Sequence, residues 1–219
     1  MNTETQIQLL QTAITHSSAE IVILCDASGS MGAHIDSSDA TSPTRREVLR
    51  QCLMTLAHTL QEGARIYRFA GDVKPFEKFN DPEFQGWDLE FGTNIDMALR
   101  VARKHNPSRI ILITDGSPTE STPEETVETA QSIFARIDTY FCGAHTDTRA
   151  TDLCRELAQY GGECFIDPWD AAYSLNTILV HLLLVIQRYG WRIDQTRANA
   201  IVARLKALMP CIPHNGSSK

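Results

Sequence analysis

Two carboxylates and three hydroxyls in this 219-residue sequence stand at spacings that could bind a small, hard cation. Asp26, Ser28 and Ser30 alternate along one glycine-containing segment, so an irregular loop can turn all three side-chain oxygens towards one point. Thr93 lies in a Gly-Thr-Asn segment, and Asp115 begins an Asp-Gly pair. Oxygen-only donors of this kind suit Mg²⁺, which takes near-octahedral coordination at about 2.1 Å and commonly keeps waters. The set contains neither Cys nor His, which disfavours zinc or copper.

Each of these groups stands next to an element that could position it. Short apolar, β-branched runs bounded by polar turns are typical of buried parallel strands. Asp26 and Asp115 each come directly after such a run, and the more mixed run that begins at Ala64 is expected nearer an edge of the sheet. The predicted strands are Glu20–Cys25, Ala64–Phe69, Arg109–Thr114, Thr139–Cys142 and Glu163–Ile166.

Helical patterns separate these strands. Apolar residues at helical spacing, proline near a helix start and glycine after a helix end mark them. They are Arg45–Leu60, Thr93–Lys104, a helix opened by Thr122-Pro123, Thr151–Tyr160, and a long helix from Asp167-Pro168 to about Tyr189. The alternation predicts an α/β fold: a doubly wound, mostly parallel central sheet with helices on both faces. In such sheets functional groups collect at the carboxyl ends of the strands, where the oxygen donors above would meet.

The combined pattern resembles the metal-ion-dependent adhesion site of the von Willebrand factor A (VWA) family. Asp26-x-Ser28-x-Ser30 follows one apolar strand, Thr93 precedes a helix, and Asp115-Gly116 follows another apolar strand. The resemblance covers roughly Ala19 to Ile186 and implies a VWA domain over residues 19–189. Residues 1–18 would then form a helical N-terminal extension, and residues 190–219 a C-terminal extension with a disordered tail.

The resemblance also implies a function. Ser28, Ser30 and Thr93 would contact a Mg²⁺ ion directly or after a shift of the ion, with Mn²⁺ or Ca²⁺ as alternatives. Asp26 and Asp115 would lie close to it, often through water, and the sixth position would accept an Asp or Glu of a partner protein. The expected role is an intracellular, non-enzymatic adaptor without catalytic residues. Family analogy places such adaptors beside AAA+ ATPases of the MoxR or chelatase type, or in stress-response systems.

Other interpretations of the same residues remain open from the sequence. Asp26 could form an Asx turn, Thr93 could cap a helix, and Asp115 could begin an ordinary turn. Ser30, Asp115 and His145 run in the chain order of an α/β-hydrolase triad, which makes a serine hydrolase the alternative function. A haloacid-dehalogenase-type phosphatase needs a second carboxylate where Ser28 stands, and no phosphate-binding glycine motif indicates a nucleotide site.

Several residues around the predicted site could shape its rim. The long polar loop 33–44 contains His34, Asp36 and Asp39, and the loop before Thr93 contains Trp87 and Glu90. Glu90 and the two loop aspartates could occupy the open metal position in the resting protein. Asp72 also follows a predicted strand, where a turn role competes with an approach to the metal.

Charge, hydropathy and cysteine pattern limit the classes of partner and the cellular compartment that we expect for this protein. A net charge of -7 disfavours nucleic acid and anionic membranes as partners. The N-terminus lacks the basic start and apolar core of a signal peptide, and the most apolar stretch, residues 178–186, is too short to cross a bilayer. None of the six cysteines forms a C-x-x-C motif, so a reducing, cytoplasmic location is expected. Nothing in the sequence specifies an oligomeric state.

Overall fold

A six-stranded sheet forms the centre of the molecule. The computed structural model describes residues 21–34, 40–47, 49–50, 53, 64–76, 89–144, 146–158 and 161–166. The strand order is β3-β2-β1-β4-β5-β6, and all neighbours are parallel except β2 and β3. The strands are β1 (Ile21–Asp26), β2 (Ala64–Phe69), β3 (Val73–Pro75), β4 (Arg109–Thr114), β5 (Arg136–Phe141) and β6 (Cys164–Ile166). The predicted mostly parallel α/β sheet is confirmed.

Three α-helices are described between these strands, together with a 3₁₀ turn at Gly29–Gly32. Helix α1 spans Ile95–Arg103, α2 spans Pro123–Gln131, and α3 spans Thr148–Ala158. The predicted start of α2 is confirmed: Thr122 and Glu125 form a reciprocal capping box, with proline in the first turn. Residues 45–47, 49–50 and 53 are also helical, which confirms the start of the predicted helix over Arg45–Leu60; the rest of that prediction lies outside the described residues.

Both faces of the sheet are buried. On one face, side chains of α1, α2 and α3 pack against the strands. The strand residues in this cluster include Val22, Leu24, Phe69, Ile110 and Leu112. The alternate residues of the central strands are buried as well: Ile21, Ile23, Cys25, Ile66, Ile111 and Ile113. All six residues of β1 and of β4 are buried, and the apolar residues 21–25 and 110–113 run continuously through these strands rather than alternating with polar ones.

Several predicted boundaries were wrong by a few residues. Strand β5 begins at Arg136 rather than at Thr139, because Asp138 is buried in an ion pair and does not interrupt the strand. Helix α3 begins at Thr148 rather than at Thr151. The antiparallel edge strand β3 was not predicted, since three residues that include Lys74 and Pro75 carry no strand pattern.

Some predictions concern residues outside the described ranges. They are the helical extension over residues 1–18, the helix over residues 167–189 and the C-terminal extension over residues 190–219. Within the part of the chain that the structure describes, no helix is long and apolar enough to cross a membrane.

Candidate metal centre

The Asp26 carboxylate joins the two central strands at their carboxyl edge. Asp26 is the last residue of β1 and is completely buried. Its Oδ1 accepts a hydrogen bond of 2.8 Å from the backbone N–H of Ser28, and its Oδ2 accepts one of 2.6 Å from the Thr114 hydroxyl. The first contact is of the Asx type that the sequence left open as an alternative. The second crosses to the end of β4, so Asp26 does more than form a local turn.

The two serine hydroxyls connect Asp26 with the second carboxylate. Ser28 Oγ lies 3.0 Å from Ser30 Oγ, and the Ser30 hydroxyl donates a 2.7 Å hydrogen bond to Asp115 Oδ1. Neighbouring ligands in an octahedron with metal–oxygen bonds of about 2.1 Å lie roughly 3.0 Å apart. The spacing of the two serine oxygens therefore matches one edge of a Mg²⁺ coordination shell. Ser30 is exposed to solvent, whereas Ser28 and Asp115 are buried.

Thr93 is buried on the loop that leads into α1. Its backbone N–H donates to the Thr119 hydroxyl at 2.8 Å, and its carbonyl accepts from the Thr119 N–H. The helix cap is Asn94, whose side chain accepts from the Met97 N–H, so Thr93 is not the capping residue. The Asn94 N–H in turn donates to the carbonyl of Ala70, just after β2. These contacts hold Thr93 at the carboxyl edge, although the described hydrogen bonds do not link its hydroxyl to the two serines.

Gly92 allows this loop to pass close to its neighbours. Its φ of +87° lies in the left-handed region that side chains rarely adopt. A Cβ at this position would also lie 2.6 Å from Glu120 Oε1 and 3.1 Å from the Cα of Gly71. The glycine before Thr93 is therefore required by the backbone path.

Negative charge is concentrated at this edge. Burial and the nearby Asp115 carboxylate raise the pKa of Asp26 to about 6, although hydrogen bonds from Ser28 and Thr114 oppose the shift. The charged form of Asp26 is thus costly, and a cation between the two carboxylates would relieve that cost. This electrostatic demand is independent of any family resemblance.

Arg45 is a member of the site that the sequence analysis missed. Its guanidinium Nη1 lies 2.6 Å from Asp115 Oδ2 and 3.5 Å from the carbonyl oxygen of Ser30. The sequence placed Arg45 only at the start of a helix. No periodicity could have identified the contact, because it depends on the path of the preceding loop.

The predicted rim residues have other partners or lie outside the described ranges. Glu90 Oε1 accepts hydrogen bonds from Arg68 at 2.8 Å and from Lys74 at 3.1 Å, and the Glu90 backbone pairs with Ser28 in an isolated β-bridge. Asp72 forms an exposed ion pair with Lys74, and His34 Nδ1 contacts the Ser42 carbonyl. The remaining candidates, Asp36, Asp39, Trp87 and His145, lie outside the described residues. Phe91, which precedes Gly92, is fully exposed.

The donor chemistry fits a hard divalent cation better than a soft one. Within the described ranges, no group of three or more His, Cys, Asp or Glu side chains could hold a metal. The cluster instead combines two carboxylates with serine hydroxyls and the nearby Thr93, which favours Mg²⁺ over zinc. Nearby, the Ser117 hydroxyl is buried without a hydrogen-bond partner among the described residues.

Comparison with known proteins identifies the class of fold. The chain is similar to an aerotolerance-related membrane protein from Bacteroides fragilis, with 18% identity, a TM-score of 0.54, and coverage of 78% of this chain and 99% of that one. It is also similar to the SpRpn10 VWA domain, with 14% identity, a TM-score of 0.51, and coverage of 80% and 98%. The PilB minor pilin from Streptococcus sanguinis aligns at 12% identity with a TM-score of 0.59, over 80% of this chain and 63% of the pilin.

These likenesses show the fold alone, because each identity is below 25%. The chain has the six-stranded α/β fold of a VWA domain. No protein-family model matches the sequence, and no curated protein matches it. The role of the site in this chain is therefore argued from its own residues.

Proposed function

We propose that this protein is an adaptor that binds a divalent cation at the carboxyl edge of its sheet and captures an acidic side chain of a partner protein. The observation that carries the proposal is the hydrogen-bonded cluster of Asp26, Ser28, Ser30 and Asp115. It gathers two carboxylates and two hydroxyls from the ends of β1 and β4. Mg²⁺ is the expected ion, and Mn²⁺ and Ca²⁺ are alternatives.

The chain's own residues suggest how such a site would work. The hydroxyls of Ser28, Ser30 and Thr93 would hold the ion, while Asp26 and Asp115 would orient the serines through the hydrogen bonds described above. A bound divalent cation supplies a strong electrostatic attraction for a carboxylate. Because neutral hydroxyls do not exhaust its charge, that attraction remains available to an incoming Asp or Glu. The exposed Ser30 marks the side from which the partner would approach.

The setting of the adaptor is also a proposal. We place it in the cytoplasm, beside an AAA+ ATPase or in a stress-response system, as the sequence resemblance implies. Four cysteines in the described part of the chain, Cys25, Cys142, Cys154 and Cys164, are free. Burial raises the pKa of the first three thiols and so keeps them unreactive.

A serine hydrolase receives less support from the geometry. In a catalytic triad the histidine stands between the serine and the acid, whereas here the Ser30 hydroxyl donates directly to Asp115. Thr114 and Ser28 donate hydrogen bonds to Asp26. A hydrolase with a triad of Ser30, His145 and Asp115 would not use Asp26. We therefore propose no enzymatic activity. A serine-directed activity probe that labels Ser30 would contradict this.

Calorimetric titration of Mg²⁺ and Mn²⁺ into chelator-treated protein tests the metal site. We expect saturable binding at one site, and its loss in Asp26→Ala and in Asp115→Ala. Asp152→Ala is the matched control, because the Asp152 side chain is 73% exposed and pairs only with Arg155 in the described structure. Equal metal binding by wild type and Asp26→Ala would exclude the proposed site.

Capture of a carboxylate is tested with a short acidic peptide as the probe. An immobilised peptide with a central Glu should retain the protein when Mg²⁺ is present and release it on addition of chelator. The same peptide with Gln in place of Glu should retain much less. Retention that is equal for both peptides, or unaffected by chelator, would contradict capture through a metal.

A further inference from the structure

Arg45 places a fixed positive charge on one of the two carboxylates of the candidate metal centre. Its Nη1 lies 2.6 Å from Asp115 Oδ2, while Asp115 Oδ1 accepts the Ser30 hydroxyl at 2.7 Å. The same Nη1 lies 3.5 Å from the Ser30 carbonyl oxygen. The guanidinium therefore contacts both the carboxylate and the turn that carries the hydroxyl donors.

The backbone around Arg45 is held in place by several hydrogen bonds. The Arg45 N–H donates to the carbonyl of Ala33 at 3.0 Å, and a β-bridge joins His34 to Thr44 across the base of the long loop. Thr44 and Glu47 cap the helical residues that follow, since each side chain accepts from the other's backbone N–H. These contacts fix the origin of the side chain close to the end of β1.

Local helix preferences do not explain an arginine at this position. The first turn of a helix favours acidic side chains, because the helix dipole is positive at that end. The Arg45 side chain is only 15% exposed, the Asp115 side chain is fully buried, and Arg45 Nε is buried without a hydrogen-bond partner among the described residues. An arginine with a buried, unmatched N–H is unfavourable by itself. The ion pair with Asp115 is what compensates for it.

We infer that Arg45 sets the metal affinity of the site: its charge on Asp115 opposes an incoming divalent cation and couples metal binding to the partner's carboxylate. This inference rests on the proposed function, and it assigns to Arg45 the control of metal binding at the same site. A cation held by Ser28 and Ser30 would lie close to the guanidinium, and like charges repel at such distances. A partner carboxylate offsets both positive charges, so metal and acidic partner each strengthen the binding of the other.

Metal affinity in charge variants tests the first half of the inference. In calorimetric titrations with Mg²⁺ and with Mn²⁺, Arg45→Met should bind about tenfold more tightly than wild type, because the repulsion is removed. Arg45→Lys keeps the charge and should stay within about threefold of wild type. Arg46→Met makes the same change in net charge one residue along the chain and should not change the affinity. Arg45→Gln is a second neutral variant, and circular dichroism in chelator verifies the folding of each.

The coupling is measured by repeating the titrations with the acidic peptide present. The peptide should tighten Mg²⁺ binding by wild type by a larger factor than by Arg45→Met, because the neutral variant has one less positive charge to offset. Metal affinities of Arg45→Met and Arg45→Gln equal to or weaker than that of wild type would overturn the inference. The proposed function would still stand if wild type bound metal and Asp26→Ala did not. If neither wild type nor Arg45→Met bound metal, both the function and the inference would fail.

Discussion

The two ends of the same sheet bury carboxylates in different ways. At the amino end, Asp138 on β5 is fully buried and is bound by Arg109, by Arg136 at 3.0 Å, and by the backbone N–H of Glu163 at 3.0 Å. At the carboxyl end, the buried Asp26 is bound by one backbone N–H and one hydroxyl, and Asp115 by one hydroxyl and Arg45.

This difference indicates that Asp138 is a structural carboxylate, whereas Asp26 and Asp115 are suited to binding a cation. Arg109 and Arg136 together balance the charges of Asp138 and Glu163, so the positive and negative charges at this end of the sheet are already matched. Two carboxylates with a single arginine leave the carboxyl end with an excess of negative charge. Buried charge is tolerated only when it is paired, which makes the carboxyl end the one that attracts a metal ion.

The largest expected effect is on stability, at the amino end. Asp138→Ala should lower the free energy of unfolding by about 3–5 kcal/mol, because it breaks the buried ion pair between Asp138 and Arg109. Urea denaturation followed by circular dichroism measures this, with the exposed-site variant Asp152→Ala as control. A loss below about 1 kcal/mol would mean that the Asp138 ion pair does not stabilise the sheet.

At the carboxyl end, Asp26→Asn should affect metal binding rather than folding. In chelator, its free energy of unfolding should differ from that of wild type by less than about 1 kcal/mol, because the substitution also removes a buried charge that lies near Asp115. Mg²⁺ at about 100 times its dissociation constant should stabilise wild type by about 2.7 kcal/mol and should leave the variant unchanged. Thermal unfolding with and without Mg²⁺ gives both quantities.

If Asp26→Asn were as unstable in chelator as Asp138→Ala, the contrast between the two ends would disappear. Asp26 would then be a structural carboxylate like Asp138. The main role of Asp26 would then be to accept the hydrogen bonds from Ser28 and Thr114.

The smallest expected effect comes from the cap of α2. Thr122→Ala removes the hydroxyl that accepts from the Glu125 N–H and should cost about 1 kcal/mol of stability. Its metal affinity should equal that of wild type, since Thr122 contacts none of the candidate ligands in the described structure. If Thr122→Ala also lost metal affinity, then any destabilisation of the domain would disturb the site. The loss of metal binding in Asp26→Asn would then be weaker evidence that Asp26 acts at the metal site.

Local sequence was sufficient to predict most of the architecture. The continuous apolar runs of β1 and β4 can be buried on both faces only in a parallel sheet covered by helices, and proline after Thr122 marks the start of α2. These signals lie within a few neighbouring residues. The grouping of Asp26, Ser28, Ser30 and Asp115 also followed, because both chain segments leave adjacent parallel strands at the same edge.

Tertiary structure alone decided which of the buried charges pair. Arg45 meets Asp115 across 70 positions of the chain, and Arg109 meets Asp138 across 29. Both contacts depend on strand order and on the path of loops, which no local pattern encodes. For the same reason the sequence placed the start of β5 too late: Asp138 is polar by its type, and only its arginine partners make it a residue of the interior.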